Sequence, residues 1–246
     1  MKVLAMRTRI FKENDDLVAF ILAHVPKLKN GSILAVTSKI VALAEGRTAE
    51  LKDKNALIKK ESSRAIKTKY VWLTLKDGMA MANAGIDDSN AGPAIGGARR
   101  KLVLLPKDSF AAARKIRSSL LSYYAKTSKD KQKNKIRKLG VVITDSRVAP
   151  LRAGVVGVAL GYAGFRGLRD YRGTKDIFGR TLKITQTNVA DSLATAATLA
   201  MGEGRERRPL AVIEDAPVAF TERINRKELL IPVEDDMYGP LFRRVR

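Results

Sequence analysis

The amino-acid sequence predicts an α+β fold with mixed β-sheets and flanking helices. Two observations support this class. Short, continuously apolar runs bounded by turn residues are typical of buried strands, and segments whose apolar residues recur at helical spacing lie between them. The chain has 246 residues, of which 45% are hydrophobic, so it can build one large domain or two modest subdomains around a core.

The first fifty residues predict strand, helix, strand and helix in turn. A strand is expected at 3–10, followed by a helix that ends near Pro26, because proline cannot continue a helix. The apolar run at 33–36 predicts a buried strand. The segment 37–47 begins with polar residues and ends at a glycine, so it predicts a helix whose first turn offers backbone N–H groups to a phosphate.

The middle of the chain predicts two helices and a hairpin. Residues 54–67 have helical character, and 70–83 predict a hairpin that turns at Lys-Asp-Gly. The glycine-rich stretch 92–97 predicts a loop before a short strand at 102–105. The apolar stripe along 109–124 predicts a further helix.

The later segments return to buried strands. A strand at 139–144 would deliver Asp145 at its C-terminal end. Glycines recur between Ala153 and Gly167 without the strand-to-helix context of a dinucleotide fingerprint, and close backbone packing explains them equally well. The remaining predicted elements are a strand at 181–189, a helix at 190–201, a strand at 209–213 and a polar tail at 214–246, so the expected division is a catalytic domain at 1–213 and a C-terminal extension.

The chain is strongly basic, with 47 lysines and arginines against 25 acidic residues and a net charge of +22. Such a charge attracts polyanions, acidic metabolites or nucleotides without choosing among them. The segment 126–138 carries six lysines and one arginine with a single apolar residue. A solvated excursion is the simpler interpretation of this run, and contact with nucleic acid is the alternative.

Residue usage excludes several kinds of site. The chain has no cysteine, so disulfides, zinc–thiolate sites and thiol nucleophiles are excluded. His24 is the sole histidine, which excludes a metal site built from several histidines. No apolar stretch reaches the about 20 residues of a membrane helix, and the N-terminal apolar segment is too short for a signal peptide, so a cytoplasmic location is expected.

Two acidic motifs lie beside apolar segments: Ala-Asn-Ala-Gly-Ile-Asp-Asp-Ser-Asn at 82–90 and Thr-Asp-Ser-Arg at 144–147. Loops held by a rigid scaffold are frequent places for chemistry. The carboxylates of Asp87, Asp88, Asp145 and Glu203, with neighbouring hydroxyl and amide oxygens, are ligands that Mg²⁺ or Mn²⁺ prefers, usually beside waters and a substrate phosphate. The alternative is that the two aspartates only cap turns.

A series of further motifs runs along the chain between about residues 13 and 213. In chain order these are Ser38 with Ala44-Glu-Gly-Arg47, the 82–90 stretch, Val142-Ile-Thr-Asp145, Gly154-Val-Val-Gly-Val-Ala-Leu-Gly161, the charged segment 170–180, Ala190-Asp191 and Met201-Gly-Glu-Gly204. Their order and number resemble the coenzyme F-420-0:L-glutamate ligase family.

The resemblance implies an amide ligase. Members of that family use GTP and divalent cations, often Mn²⁺ and otherwise Mg²⁺, to activate a terminal carboxylate as an acyl phosphate. The α-amine of L-glutamate then attacks this intermediate. Family members form intertwined homodimers, so the resemblance also implies a gamma-glutamyl-ligase-like fold with two interwoven subdomains, and a homodimer.

The same resemblance implies site residues. Asp87 and Asp145 would bind one metal ion, and Ser146 and Glu203 a second. Two metal ions can neutralise and orient a transferred phosphoryl group. Asp87, Asp145 and Arg147 would be the catalytic residues. The implied nucleotide contacts are Ser38, Lys39, Asn90 and the turn from Met201 to Arg207, which includes Gly202 and Gly204.

Three features depart from the family pattern. The family continues Thr-Asp-Thr-x-Gly-Arg, whereas this chain reads Thr-Asp-Ser-Arg-Val-Ala-Pro from 144 to 150, so the substrate-facing loop differs. Leu43 stands where a lysine is usual. Neither the basic insert at 126–138 nor the tail after 213 has a counterpart that can be placed. The pattern resembles a branch assigned to folate metabolism, which leaves the acceptor unidentified.

These departures suggest how the acceptor is bound. The hypothesis is that Arg147 and Arg152 hold the carboxylates of an acidic acceptor that is F-420-0-like or folate-like. Guanidinium groups suit phosphate and carboxylate, and further candidates for such contacts are Arg169, Arg172 and Lys175. Charged residues that pair within a turn explain the segment 170–180 equally well, and Tyr171 and Phe178 are expected in the core.

Two other functions stay open at this point. The charge favours a basic nucleic-acid-binding protein, although no RNA-reading motif or series of exposed aromatic residues is evident. The second open function is that of a ligase homologue whose catalysis is altered by the changes at residues 147–150. The sequence does not decide between GTP and ATP.

Overall fold

The computed structural model describes residues 1–25, 27–89, 101–127 and 136–242. Asn90, the glycine-rich stretch 92–97 and most of the lysine-rich segment lie outside these ranges. The helices are α1 (Leu17–His24), α2 (Ser38–Ala44), α3 (Lys54–Glu61), α4 (Ser109–Thr127), α5 (Val189–Met201) and α6 (Gly239–Phe242). The strands are β1 (Lys2–Met6), β2 (Ser32–Thr37), β3 (Thr48–Glu50), β4 (Arg64–Lys67), β5 (Trp72–Lys76), β6 (Met79–Ala82), β7 (Lys101–Val103), β8 (Leu139–Arg147), β9 (Val156–Ala163), β10 (Leu168–Asp170), β11 (Gln186–Asn188) and β12 (Leu210–Glu214).

A five-stranded mixed sheet is the centre of the fold. Its strands lie in the order β1-β12-β2-β8-β9. β2 and β8 run parallel, and the other neighbours run antiparallel. Two smaller sheets pair β3 with β7 and β10 with β11, and a third has the order β4-β5-β6. The predicted α+β class with mixed sheets and flanking helices is confirmed.

The two faces of the central sheet bury separate cores because side chains alternate along a strand. In β2, Leu34 and Val36 belong to one core, and Ile33 and Ala35 belong to the other. Helices α1, α2 and α4 cover the first face. Helix α5 covers the second face, so β2 is buried on both sides, as its continuous apolar run predicts.

Glycines in β9 let both neighbouring helices approach the strand closely. A methyl group on Gly157 would overlap the carbonyl oxygen of Ala194 in α5. A methyl group on Gly161 would overlap the backbone of α4 at Ser109 and Phe110. Close packing therefore accounts for these two glycines.

Several predicted boundaries were wrong. The helix expected at 54–67 ends at Glu61, because Ser62 is extended and the chain enters β4. The first strand ends at Met6 rather than at residue 10. The strand expected at 181–189 is reduced to β11. The hairpin at 70–83 is confirmed, and it turns at Asp77 and Gly78, which both have positive φ angles, as tight hairpin turns require.

The C-terminal segment is less polar than the sequence suggested. Its side chains Val218, Phe220, Ile224 and Leu229 pack against the second core. Glu228 accepts hydrogen bonds from the Tyr162 hydroxyl at 2.5 Å and from the Gly167 N–H at 2.7 Å. The segment is therefore anchored to the main sheet, and the domain boundary near residue 213 stays a prediction.

Within the described ranges, no helix combines the length and the apolar character that crossing a membrane requires.

Candidate active site

The parallel strands β2 and β8 bring two predicted site residues together. Thr37 lies opposite Thr144 in the register, so the next residues, Ser38 and Asp145, also lie side by side. The Ser38 hydroxyl donates a hydrogen bond to Asp145 Oδ1 at 3.0 Å. The carboxyl ends of parallel strands are common ligand-binding positions in sheets that contain them, and a large cavity lies at this edge.

This cavity has a volume of about 1110 Å³. Small-molecule sites commonly measure about 300 to 1000 Å³, so the space suits a nucleotide together with part of a second substrate. Its lining comes mainly from the segments 8–12, 37–40, 82–87, 144–148 and 198–209. A few residues within these segments do not contact the cavity. Of the predicted site residues, the lining includes Ser38, Lys39, Asp87, Asp145, Ser146, Arg147, Met201, Gly202, Glu203 and Gly204.

Asp87 both caps a turn and faces the cavity. Its carboxylate accepts hydrogen bonds from the N–H and the hydroxyl of Ser89, each at 2.7 Å. Lys39 Nζ donates to its Oδ2 at 2.8 Å. Burial raises the pKa of the Asp87 carboxyl, but the hydrogen bonds from Lys39 and Ser89 together lower it by more, so the net pKa lies below its ordinary value.

The backbone before Asp87 is held in an unusual conformation. Asn83, Ala84 and Gly85 all have positive φ angles, of 52°, 54° and 71°. Non-glycine residues seldom adopt this region. Thr74 supports the turn, because its hydroxyl accepts a hydrogen bond from the Ala84 N–H at 2.8 Å. The strained turn places Asp87 against Val103, with two backbone hydrogen bonds between them.

Arg147 lies against Asp145 at the end of β8. Its Nη1 contacts Asp145 Oδ2 and donates to the Ser146 carbonyl at 2.9 Å. Its side chain is only 11% exposed, and its buried Nε has no hydrogen-bond partner among the described residues. Such an unpaired buried donor is unusual in folded proteins.

The prediction for the segment that follows Asp145 was wrong. Ser146 and Arg147 were expected in a loop, but they belong to β8 and pair with Gly157 and Val156 of β9. The ladder between β8 and β9 has a register shift between Ile143 and Thr144 and continues beyond it to Arg147. The strand therefore holds Ser146 and Arg147 at fixed positions beside the cavity.

Glu203 enters the cavity from the end of α5. Gly202 ends the helix with a φ angle of 79°, and the chain turns back across the cavity. The Ser146 hydroxyl donates to Glu203 Oε1 at 2.6 Å. Glu206, in the same turn, accepts a hydrogen bond from the Gly204 N–H at 2.8 Å.

The donor set agrees with a hard divalent cation that also takes ligands from a substrate. Among the described residues, no group of three or more His, Cys, Asp or Glu side chains could hold a metal ion unaided. Mg²⁺ is commonly held by one or two carboxylates with water and substrate phosphates, and Asp87, Asp145 and Glu203 offer carboxylates to one cavity. Lys39 and Arg147 each contact one oxygen, of Asp87 and of Asp145 respectively, so a bound cation would share these carboxylates with them or displace them. The two metal positions stay predictions.

Sequence reasoning missed part of the cationic lining, namely Arg9, Lys12 and Arg208. Arg9 and Lys12 reach the cavity because the Thr8 N–H donates to the Arg207 carbonyl at 2.9 Å. No local signal in the sequence marks this contact between segments about 200 residues apart. The turn from Met201 to Arg207, in contrast, was predicted to contact the nucleotide, and Arg208 directly follows it. Arg205, Arg207 and Arg208 all line the cavity.

Four predicted substrate contacts do not line the cavity. Arg152 lies in the exposed turn after β8. Arg172 pairs with Asp170 at 2.6 Å, and Lys175 donates to the Thr181 hydroxyl at 2.8 Å. Arg169 contacts Tyr171 and the Pro217 carbonyl. The alternative for the segment 170–180 was pairing of charged residues within the turn, and the contact of Arg172 with Asp170 is such a pair. A substrate role for these four residues stays a prediction.

The expectation that Tyr171 and Phe178 are core residues was wrong. Phe178 is 76% exposed, and Tyr171 is only partly buried. Most residues between β10 and β11 are exposed. Asn90, the remaining predicted nucleotide contact, lies outside the described residues.

Comparison with known proteins gives a consistent match along the chain. The model of the family described as F420-0:Gamma-glutamyl ligase matches residues 5–57 and 53–215. Three similar proteins are named Coenzyme F420:L-glutamate ligase. The Methanococcus maripaludis protein is 30% identical over 259 aligned residues and covers 97% of both chains. The Archaeoglobus fulgidus protein is 31% identical over 242 residues, 89% of this chain and 90% of its own. The Methanopyrus kandleri protein is 33% identical over 225 residues, which cover 83% of this chain and 82% of that protein.

Proposed function

The chain belongs to the F420-0:gamma-glutamyl ligase family, and we propose that it joins L-glutamate to an acidic acceptor by using GTP and divalent cations. The enzyme is a ligase that forms a carbon–nitrogen bond of the γ-glutamyl type. The proposal adds the nucleotide, the metal ions, an acyl-phosphate intermediate and an acceptor that is F-420-0-like or folate-like.

The contact between Ser38 and Asp145 carries this proposal. It fixes a carboxylate at the adjacent ends of two parallel strands, inside a cavity large enough for a nucleotide. Arginines from the 205–208 turn line the same cavity. A site that combines oxygen ligands with cationic side chains suits a phosphate-bearing substrate.

The proposed reaction has two steps. An oxygen of the acceptor carboxylate attacks the γ-phosphorus of GTP, the bond to the bridging oxygen breaks, and GDP leaves. The amine nitrogen of glutamate then attacks the acyl carbon, inorganic phosphate leaves with the electrons of the carbon–oxygen bond, and the nitrogen loses a proton to solvent. The products are an amide, GDP and phosphate.

The chain's own residues would orient these groups. Asp87 and Asp145 would hold one divalent cation, and Ser146 and Glu203 a second. Such cations supply positive charge that stabilises a transferring phosphoryl group. Ser38 would keep the Asp145 carboxylate in place. Arg147, held by the strand, would present its guanidinium to the acceptor carboxylate, since planar guanidinium groups match carboxylates.

Phosphate binding is proposed for the basic side of the cavity. Lys39 lies beside Asp87 and lines the cavity. The arginines at 205, 207 and 208 would add positive charge near the nucleotide. The turn at 201–204 would contact the nucleotide through its backbone.

We also propose a homodimer. The segment between β10 and β11 exposes apolar side chains, with Ile177 92%, Phe178 76% and Ile184 87% exposed. Exposed apolar surface of this kind commonly marks an interaction site. Sedimentation of the full chain should give twice the monomer mass, and Phe178→Asp should shift the mass towards the monomer. A monomeric wild-type chain would contradict the dimer alone.

Glutamate incorporation tests the proposed reaction. Labelled L-glutamate should enter product only with GTP and with Mn²⁺ or Mg²⁺, and one phosphate should be released for each glutamate incorporated. F-420-0 and folate-type acceptors should be assayed in parallel, with ATP as the competing nucleotide. Because the segment after Asp145 departs from the family pattern, we expect acceptor preference to shift away from F-420-0. Efficient turnover of F-420-0 alone would contradict that shift, and no turnover with any acceptor would contradict the ligase reaction.

A further inference from the structure

The edge strand of the central sheet is held by side chains of α5. β9 lies at the end of the order β1-β12-β2-β8-β9, so in the described part of the chain one side of its backbone has no neighbouring strand. Oδ1 of Asp191 accepts a hydrogen bond from the Ala159 N–H at 2.8 Å. One turn further along α5, the Thr195 hydroxyl donates to the Gly157 carbonyl at 2.7 Å. Two side chains at helical spacing therefore hold two alternate residues of β9.

These two residues of β9 lie opposite the polar end of β8. Ala159 pairs with Thr144, and Gly157 pairs with Ser146. Asp145 lies between the two paired residues of β8. The side chains from α5 therefore act on the part of β9 that supports the candidate active site.

Ala159 also lies at an irregularity in the ladder. Ile143 pairs with Gly161, but the next residue of β8 pairs with Ala159, so Leu160 is an extra residue in β9. An extra residue of this kind is a β-bulge, which bends the strand and re-aims neighbouring side chains, often beside active sites. The contact from Asp191 binds the backbone directly next to this bulge.

The side chain of the extra residue is fixed as well. Leu160 is buried and packs with Met81 and Leu105. The turn before Asp87 rests on the same cluster, since a methyl group on Gly85 would overlap the Leu105 side chain. The bulge therefore packs against the support of the other acidic motif.

Asp191 is itself held in one orientation. It lies in the first turn of α5, whose N-cap is Asn188. The Asn188 side chain accepts a hydrogen bond from the Asp191 N–H at 3.0 Å and donates one to Asp191 Oδ2 at 2.7 Å. Both carboxylate oxygens have a partner, so Oδ1 is fixed toward β9.

The charge of Asp191 does not serve stability. Burial raises the pKa of its carboxyl by more than the hydrogen bonds from Ala159 and Asn188 lower it, so the net pKa lies above its ordinary value. An acid whose pKa is raised on folding opposes folding near neutral pH in its charged form. The contacts of this acid therefore point to a role other than stability.

We propose that Asp191 is a positioning residue for the active site. Its carboxylate holds β9 at the bulge, and β9 in turn holds Thr144, Asp145 and Ser146 where they line the cavity. Thr195 secures the same strand beside it. The functional meaning rests on the proposed function, in which Asp145 and Ser146 are metal ligands, whereas the restraint on β8 rests on the contacts themselves.

Two variants separate the hydrogen bond from the position of the charge. Asp191→Ala removes the acceptor for the Ala159 N–H. The double variant Asn188→Asp with Asp191→Asn exchanges the two side chains, so that an aspartate caps the helix and an amide oxygen faces the Ala159 N–H. Glu61→Gln alters a hydrogen-bonded carboxylate outside the cavity lining and is the control for a general loss of stability.

Hydrogen exchange of the full chain, followed by mass spectrometry, measures the restraint without any ligand. Amides in the segments 144–147 and 156–160 should exchange roughly tenfold faster in Asp191→Ala than in wild type, the size expected for a lost hydrogen bond to a charged group. The buried segment 139–143 should keep its protection. The double variant and Glu61→Gln should both keep the wild-type rates at 144–147.

Thr195→Val tests the restraint independently of the acid. It removes the contact with the Gly157 carbonyl with little change in side-chain shape. Exchange should rise in the same two segments, but by less than in Asp191→Ala, because the hydroxyl is a neutral partner.

Calorimetric titration of a GTP analogue that cannot be hydrolysed, with and without Mn²⁺, measures the effect on the site. In Asp191→Ala the gain in affinity from Mn²⁺ should fall roughly tenfold, since small misplacements of ligating groups are costly. The affinity without Mn²⁺ should change little, because the proposed nucleotide contacts lie on other elements. The double variant should recover the gain, and Glu61→Gln should retain it.

Four results would overturn the proposal. The first is unchanged exchange at 144–147 in both Asp191→Ala and Thr195→Val, and the second is an equal Mn²⁺-dependent gain in Asp191→Ala and wild type. The third is a folded double variant that loses as much as Asp191→Ala. The fourth is an equal loss in Glu61→Gln, which would assign the effect to general destabilisation.

Failure of the proposed function gives a different pattern. A wild-type chain whose affinity for the analogue does not respond to Mn²⁺ contradicts the metal–nucleotide site, and faster exchange at 144–147 in Asp191→Ala then still supports the restraint. A normal Mn²⁺ response in wild type, with unchanged exchange in Asp191→Ala and Thr195→Val, contradicts the restraint alone.

Discussion

The hydroxyl of Ser38 donates a hydrogen bond to Oδ1 of Asp145 at 3.0 Å, and this contact joins the ends of the two parallel strands of the central sheet. Neither residue is near the other in the sequence. The parallel register of β2 and β8 alone places them side by side, and the candidate active site is built around them.

Ser38→Ala should lower kcat/KM about tenfold or more while leaving the melting temperature nearly unchanged. A hydrogen bond to a charged group contributes roughly 1.5 to 3 kcal/mol, and about 1.4 kcal/mol corresponds to tenfold in rate. Steady-state kinetics with GTP and glutamate measure the effect. Ser118→Ala, which removes an exposed hydroxyl from α4, is the control. Equal kinetics for Ser38→Ala and wild type would contradict a positioning role for Ser38.

Gly157→Ala should destabilise the protein by roughly 1 to 3 kcal/mol, the usual effect of overpacking. The added methyl group would overlap the Ala194 carbonyl and the Thr198 hydroxyl, so β9 and α5 would have to separate. Denaturant unfolding measures the change. Val156→Ala, at the neighbouring exposed position, should cost much less. A neutral Gly157→Ala would show that the helix can move away at little cost.

Glu61 should stabilise the fold in a pH-dependent way. Burial raises the pKa of its carboxyl, but hydrogen bonds from Lys76 and Arg47 lower it by more, so the folded pKa lies below the ordinary 4.5. A depressed folded pKa contributes stability above the unfolded value, and that stability is lost as the pH falls through the folded value. Glu61→Gln should therefore cost roughly 1 to 3 kcal/mol near neutral pH, and the difference from wild type should shrink in acid.

Unfolding free energies measured in parallel from neutral pH to below the folded pKa test this sign. Glu50→Gln, which alters the exposed contact with Lys52, should change stability by at most about 1 kcal/mol. A difference between wild type and Glu61→Gln that grows in acid would contradict the assignment.

Glu228→Ala should destabilise the protein more than Tyr162→Phe. Removing the carboxylate leaves two donors unpaired, the Tyr162 hydroxyl and the Gly167 N–H, and each unpaired buried group costs roughly 1 to 3 kcal/mol. Removing the hydroxyl leaves the Gly167 contact in place. Thermal unfolding of both variants tests the order. A milder effect for Glu228→Ala would show that the C-terminal segment does not depend on this anchor.

The sequence predicted those parts of the site that follow from local pattern. Val142 to Asp145 read as an apolar run ending in an acid, and the structure has that strand. The strand β8 nevertheless continues to Arg147, because its last residues keep pairing with β9 beyond a register shift. No local pattern in the sequence marks this long-range pairing.

Other parts of the fold depend on contacts that a linear pattern does not encode. Arg9 reaches the cavity only through the antiparallel pairing of β1 with β12 and the nearby contact between Thr8 and Arg207. Phe178 was expected in the core because its side chain is apolar, yet it is 76% exposed. Arg47, in the Ala-Glu-Gly-Arg motif, contacts Glu61 and the Leu105 carbonyl, so its visible role is structural.

The most direct test of the central claim is calorimetric titration of a GTP analogue that cannot be hydrolysed, with and without Mn²⁺, into wild type and Asp145→Asn. Wild type should bind the analogue more tightly when Mn²⁺ is present, and saturation at about 100 times Kd should raise its stability by about 2.7 kcal/mol. Asp145→Asn should remain folded and lose the Mn²⁺-dependent gain, whereas Asp170→Asn, at an exposed position outside the cavity lining, should retain it. Equal Mn²⁺-dependent gains in wild type and Asp145→Asn would contradict the assignment of this cavity as a metal–nucleotide site.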